Sequence, residues 1–456
     1  MKKIIVPSLI AASMCLTGCA GIIKRIINGG SSSSVPITGE KGAYTVMIYM
    51  CGSDLESGYD GNSTDVNNYG LASLDISEIL SVSGQPEDVN IIIETGGARA
   101  WKNRNINASK LGRFHVENKK LVKDEELTYE SMGKTSTFQS FLEWGLSKYP
   151  AEKTGVVLWN HGGAMWGVCY DEKKNNDSLT NSEVNTALKN AFKNTGRKEK
   201  LEWIGYDACL MQVQDIAYKN SEYFNYMIAA QESEAGEGWE YNSWIDDVYA
   251  GKDTETILKA ICDGFISSYD RTYGAQGYDN DQTLSFLYLS KMDSYKTAFE
   301  NLAKKVSLAV GTQKSAFQSM MKNVKEYGTS YYEDPTDGGY STDPYDDAYY
   351  GLYGVEYVSE YGCYVDWGYN YFATFDVYDF LTKLGNKYSA LSTEIAAVRS
   401  ELNELVVYNR IGNEAGQSHG LCLYFPLHQV CQKSKAYTNT ETDFSSWRTV
   451  VNTLGV

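Results

Sequence analysis

Four short apolar runs restrict the fold more than any other feature of this chain. "YTVMIYM" (Tyr44–Met50), "VNIIIET" (Val89–Thr95), "GVVLWN" (Gly155–Asn160) and "LEWIGY" (Leu201–Tyr206) are almost continuously hydrophobic. A strand with one wet face alternates apolar and polar residues, whereas runs like these suit strands covered on both faces, as in parallel sheets. The stretches between them carry a helical period. "LASLDISEIL" (Leu71–Leu80), "TFQSFLEWGLSKY" (Thr137–Tyr149) and "TNSEVNTALKNAF" (Thr180–Phe192) each gather apolar residues on one face, and the last opens on a Thr180–Glu183 capping box. "LMQVQDIAY" reads as a further helix beginning near Leu210. Strand and helix alternating in this way imply right-handed crossovers and a mainly parallel sheet with helices on both faces. The fold class expected is therefore α/β.

Residues 41–250 carry this rhythm, with one polar edge hairpin, "GRFHVENKKLVKDEEL", expected to turn at Asn118 and Lys119. Beyond residue 250 the pattern becomes helical and mixed, "LSFLYLS" and "HGLCLYFP" read as strands, and residues 251–456 are expected to complete the sheet. Residues 327–371 are crowded with Tyr, Asp and Gly and read as a long irregular loop, solvated in the plainer reading and a lid or a substrate surface in the other. At 456 residues, one large domain or two fused ones is the expectation.

The N-terminus reads as an export signal. Lys2 and Lys3 precede "IIVPSLIAASMCL", an apolar run too short to span a bilayer. It ends in "LTGC" (Leu16–Cys19), similar to the lipobox of bacterial lipoproteins, in which the cysteine is acylated. Residues 1–18 would then be a signal peptide and residues 19–40 a Ser- and Gly-rich tether. The location expected is the bacterial cell envelope, outside the cytoplasm, with membrane contact through the lipid on Cys19 alone. A net charge of −17 argues against nucleic acid as a partner and favours cationic ones. Seven cysteines follow Cys19 without CxxC or zinc-like spacing, so neither a disulfide framework nor a zinc site is expected.

Chemistry in such sheets gathers at the carboxyl ends of the strands. Three of those ends carry reactive groups: Cys51, His161 and Cys209. His161 is followed by Gly162 and Gly163, where a ligand can approach the backbone closely. A thiol attacking an amide needs a base to take its proton and an acid for the leaving amine, and one histidine supplies both. Cys209, expected at a helix N-terminus that lowers its pKa, is the preferred nucleophile; Cys51 is the rival, with packing beneath the site as its plainer role. The N–H groups of Gly162 and Cys209 are placed to hold an oxyanion. His115, His419 and His428 read as surface or structural residues.

Six blocks, "TVMIYMCGSDLE", "LWNHGG", "GYDACLMQ", "GEGWEY", "DVYDFL" and "GLCLYFP", stand in the order found in clostripain-like cysteine peptidases, the C11 family. The chain resembles that family from about Tyr44 onward, most weakly in residues 327–371. The resemblance implies a caspase-like three-layer sandwich and cleavage after Arg or Lys in protein or peptide substrates. It implies His161 and Cys209 as the catalytic pair, with Asp207 in the pocket for the basic side chain. Glu237 of "GEGW" stands where the family has Asp, one methylene longer, which puts the Arg-to-Lys preference in doubt. It further implies self-cleavage between the histidine and cysteine blocks, where Lys173 and Lys174 lie in a polar loop. No cofactor is required by these residues; calcium stays open, since Asp343, Asp346 and Asp347 show no tidy ligand spacing. The competing reading is a catalytically silent surface-binding lipoprotein of the same fold.

Overall fold

The computed structural model describes residues 34–58, 70–311, 313–328, 355–358, 363–366, 372–427 and 441–455. Cys19 and the export segment, most of the Tyr- and Asp-rich stretch with Asp343, Asp346 and Asp347, and His428 lie outside the described residues.

The apolar runs form β1 (Gly42–Cys51), β2 (Val89–Gly96), β5 (Ala151–Trp159) and β8 (Leu201–Asp207). The remaining strands are β3 (Lys110–Glu117), β4 (Lys120–Thr128), β6 (Val168–Asp171), β7 (Asp177–Leu179), β9 (Phe224–Ala229), β10 (Thr283–Tyr288), β11 (Glu326–Tyr327), β12 (Val355–Val358), β13 (Cys363–Asp366), β14 (Thr374–Asp376), β15 (Val406–Ile411) and β16 (Cys422–Tyr424). Nine of them make one sheet, in the order β15-β10-β9-β8-β5-β1-β2-β3-β4. Its centre, from β2 through β1, β5 and β8 to β9, is parallel. The flanking pairs are antiparallel, and β10 and β15 come from beyond residue 250.

The central strands are apolar on both sides because helices cover both faces. Met47, Tyr49, Val156 and Leu158 pack towards Phe138, Phe141 and Leu142 of the helix Thr135–Lys148. Val46, Ile48, Val157 and Trp203 pack the other way, against Ile76, Trp244, Ile257 and Phe265. Each fully buried side chain of this size contributes about 1.5–3 kcal/mol relative to exposure. The edge hairpin turns where expected: Asn118 and Lys119 take φ of 49° and 62°, the twist a two-residue turn needs. The capping box is formed, with Thr180 and Glu183 closing the start of the helix Asn181–Thr195.

A second sheet, β11-β14-β16, backs the loop after β9. Buried Asp376 ties it there: Oδ2 accepts from Gln231 Nε2 at 3.0 Å and Tyr327 Oη at 3.1 Å, and Oδ1 meets His419 Nδ1 at 3.0 Å. Gln231 Oε1 in turn accepts the Gly420 N–H at 2.6 Å, so His419 and its neighbours brace residues 230–234. At the opposite end of the sheet the incoming chain is docked. The Val35 N–H donates to the Asn194 carbonyl at 2.6 Å and the Thr38 N–H to that of Ser147 at 2.9 Å, at the C-terminal ends of two helices.

Candidate active site

The geometry of the site begins with strand register. In the parallel pair β5–β8, Trp159 stands opposite Asp207, and the Asn160 N–H donates to the Asp207 carbonyl at 3.2 Å. His161 and Cys209 each follow two residues later, so they sit side by side at the carboxyl tips of neighbouring strands. The loops stay in contact beyond the ladder. A Cβ built on Gly162 would lie 2.1 Å from the Cys209 carbonyl oxygen and 3.0 Å from its nitrogen. Only glycine allows that approach. The Cys169 N–H closes the histidine loop by donating to the His161 carbonyl at 3.2 Å. Among the described residues, neither the Gly162 nor the Cys209 N–H donates to a backbone carbonyl.

One expectation is corrected here. The helix after β8 does not begin near Leu210: Leu210 takes a left-handed φ of 68°, its N–H donates to the Glu232 carbonyl at 3.2 Å, and the helix runs from Gln214 to Asn220. Gln212 and Val213 pair instead with the second sheet and the end of β9, which takes the backbone away from helical geometry. Cys209 therefore gains nothing from a helix dipole. Its sulfur accepts the Glu234 N–H at 3.2 Å. Burial pushes the thiol up to about 12, the Glu234 carboxylate adds to this, and the N–H pulls back against it. A thiol in that range is not a standing thiolate at neutral pH; to act as a nucleophile it would need a base beside it to take the proton.

His161 is partly exposed and engaged on its other side. Its Nε2 lies 2.8 Å from Asp54 Oδ1. Sequence reasoning missed Asp54, although it sits three residues past the end of β1, the other neighbour of β5. Cys51, the rival thiol, is wholly buried at the end of β1, with Sγ 3.5 Å from the Tyr170 carbonyl and burial pushing its pKa well up. That placement is packing beneath the site.

Behind Cys209 lies a group of buried acids. Asp207 is 4% exposed; its Oδ2 accepts from Tyr241 Oη at 2.9 Å and its Oδ1 from the Trp239 N–H at 3.2 Å. Burial raises its pKa to about 7 against those two hydrogen bonds. Asp75, which accepts from Trp159 Nε1 at 2.7 Å, and Glu234 are pushed well up by burial and then by the charge of Asp207. The groups acting most on these three are other carboxyls, a hydroxyl, indoles and backbone N–H groups, not Lys or Arg. Glu237 belongs to the turn that packs on this cluster: a Cβ on the next residue, Gly238 (φ 62°), would be 2.7 Å from Asp207 Oδ1. The Glu237 carboxylate accepts from Tyr273 Oη at 2.6 Å. Sequence reading missed Asp75, Glu234 and Tyr241, which no spacing rule connects to Asp207.

Lys173 and Lys174 sit at the tip of the β6–β7 hairpin, which leads directly out of the histidine loop. Among the described residues no group of three or more His, Cys, Asp or Glu side chains is arranged to hold a metal ion.

Comparison with known proteins places these features. Clostripain from Hathewaya histolytica is 24% identical over 375 residues, which cover 72% of this chain and 64% of that protein; the chain thus spans less than two thirds of that relative's length. A secreted C11 cysteine protease of Bacteroides thetaiotaomicron, "iotapain", superposes with a TM-score of 0.58 at 18% identity, covering 90% of this chain and all of that one. An inactive zymogen of a C11 protease from Parabacteroides distasonis gives 0.58 at 17%, covering 89% and 98%. At such identities the structures establish the fold, a caspase-like α/β sandwich. The sequence profile of the Clostripain family matches residues 59–448, a span that takes in both strand tips and the acid cluster behind them, and the chain belongs to that family.

Proposed function

We propose that this chain is a cysteine endopeptidase of the cell envelope that cleaves after Arg or Lys. The observation that carries the reading is the β5–β8 register, which sets His161 beside Cys209 with Gly162 against the cysteine backbone. The Cys209 sulfur attacks the scissile carbonyl as its proton passes to His161. The N–H groups of Gly162 and Cys209 receive the oxyanion, and the His161 proton then goes to the leaving amine. Water, deprotonated by His161, hydrolyses the thioester and restores both groups.

The substrate's basic side chain enters the acid cluster, with Asp207 as the inner partner and Glu237 on the covering turn. Three carboxyls raised by burial, two of them also by the charge of Asp207, gain most from a cation, because its charge offsets these penalties. Activation follows from self-cleavage at the hairpin carrying Lys173 and Lys174. Acylation of Cys19 would attach the chain to a membrane. The docking of Val35 and Thr38 at Asn194 and Ser147, at the end of the sheet away from Cys209, supports an active edge facing outward.

The test uses the processed protein, Cys209→Ala and His161→Ala with reporter peptides bearing Arg, Lys or Asp before the scissile bond. The expected result is hydrolysis of the Arg and Lys peptides by wild type alone, and labelling of Cys209 by an Arg chloromethylketone. Equal turnover by Cys209→Ala, or equal use of the Asp peptide, sinks the reading. Processed protein that neither cleaves nor labels leaves the surface-binding lipoprotein in its place.

A further inference from the structure

The tips of three consecutive strands, in the order β8-β5-β1, carry Cys209, His161 and Asp54. His161 stands in the middle, with a thiol on one side and a carboxylate on the other. We propose that Asp54 is a positioning residue for the His161 imidazole, fixing its tautomer and orientation towards Cys209; the proposal rests on the cysteine-peptidase reading above.

The chemistry of the contact sets the tautomer. A carboxylate only accepts, so the ring nitrogen 2.8 Å from Asp54 Oδ1, Nε2, carries the hydrogen. In the neutral ring, Nδ1 is then the basic nitrogen, the one able to take a proton. The Cys209 proton goes to Nδ1 as the C–S bond forms. The resulting imidazolium lies beside the carboxylate, and Nδ1–H then protonates the departing amine. Without Asp54 the ring can flip, presenting a protonated nitrogen to the thiol.

Asp54 is itself held. Gly52, which has no room for a Cβ against Trp101, Ala98 and Glu56, turns the chain off β1, and Ser53 follows at φ 49°. The Gly58 N–H donates to the Asp54 carbonyl at 2.7 Å, closing the short helix Ser53–Ser57. The Asn160 side chain ties the two strand tips together by donating to the Cys51 carbonyl at 2.8 Å. The Asp54 side chain is 22% exposed and that of His161 38%, so the pair is open enough for substrate yet partly shielded from water. Burial alone would raise the Asp54 carboxyl, but the His161 hydrogen bond and charge outweigh it and hold it below the usual carboxylate range.

The experiment compares wild type with Asp54→Ala, Asp54→Asn and Asp54→Glu, with His161→Ala and Cys209→Ala as references. It reads kcat and KM on an Arg reporter, Tm, and the iodoacetamide alkylation rate at the Cys209 peptide by mass spectrometry. The expected outcome is a kcat loss of at least about 100-fold for both Asp54→Ala and Asp54→Asn, since the amide lacks the charge and can offer the ring a donor that favours the wrong tautomer. KM and Tm stay near wild type, Cys209 alkylation slows in step with kcat, and Asp54→Glu recovers part of both. Unchanged kcat and alkylation in Asp54→Ala overturn the proposal, as does a loss that follows Tm or falls on KM. Alkylation needs no turnover. If no basic reporter is cleaved, the peptidase reading fails by itself, while the alkylation rates of Asp54→Ala and His161→Ala against wild type still decide the Asp54–His161 relationship.

Discussion

Gly162 rests directly on the backbone of Cys209, so closely that a methyl group there would overlap the cysteine carbonyl, 2.1 Å away. The atom in the way is backbone and cannot swing aside. Gly162→Ala is therefore expected to force the His161 and Cys209 loops apart. The stability cost is about 1–3 kcal/mol, typical of overpacking, with kcat falling at least tenfold as the oxyanion N–H moves. Thermal unfolding and reporter kinetics check this. A variant with wild-type Tm and kcat would mean that the two loops are not held as described.

Asp207 is expected to trade stability for function. Its carboxyl titrates near 7 in the folded chain because burial disfavours its charge, against about 3.9 when unfolded. The folded pKa is the higher one, so the neutral form is the favoured one. The penalty is absent below about pH 4, grows as the pH rises, and is fully present above about pH 7. Asp207→Asn should thus melt a few degrees above wild type at pH 8 and show no gain at pH 4.5, while losing cleavage after Arg. A gain that does not depend on pH would assign the effect to packing rather than charge.

Binding of the basic side chain should carry the same titration. In Cys209→Ala that has been cut at the hairpin in trans by wild type, where no acylation intervenes, an Arg-terminated peptide is expected to bind on the order of ten times more tightly at pH 8 than at pH 5.5, since Asp207 becomes charged in between. A norleucine-terminated peptide should show no such trend. Calorimetry at the two pH values reads both the affinity and the proton release that accompanies the Arg peptide. Equal affinities for the Arg peptide would remove Asp207 from the recognition site.

The sheet and the two strand tips were legible in the sequence because they depend on local patterns. Runs such as Val89–Thr95 declare strands buried on both faces, and the order of strands and crossovers then brings His161 and Cys209 together. The helix expected at Leu210 fails for a non-local reason. Leu210, Gln212 and Val213 make their backbone contacts with Glu232, Ala230 and the strand at Cys422, and those contacts outweigh a good helical period. Asp54, Asp75 and Glu234 escaped for a related reason: they reach the site from three separate loops or helices, and nothing in their own neighbourhoods marks the meeting point. Asp54 was the most accessible of them, since an acid just past a strand adjacent to the histidine strand is a natural partner for imidazole.

Under the proposed self-cleavage, the two hairpin lysines differ in a way that makes Lys174 the expected site. Lys173 is pinned: its N–H donates to Asp171 Oδ1 at 2.9 Å, its ammonium lies 3.7 Å from the centre of the Tyr129 ring, and it also reaches the Ala108 carbonyl. Lys174 is exposed, its ammonium is 5.6 Å from the same ring, and it is followed by Asn175 and Asn176 at φ of 55° and 56°. A peptidase must take the basic side chain out of its own fold and draw the bond into an extended strand. For Lys173 that breaks a cation–π contact worth about 0.5–1 kcal/mol as well as its hydrogen bonds, whereas Lys174 gives up little. Lys174→Ala is expected to abolish the cut or slow it at least tenfold, while Lys173→Ala is still cut at the same bond, its N-terminal fragment shifted only by the mass of the substitution. Intact-mass spectrometry after incubation, with Cys209→Ala as the uncut reference, reads the outcome. Fragments from Lys174→Ala that differ from those of wild type only by the mass of the substitution, formed at the wild-type rate, would move the cleavage elsewhere.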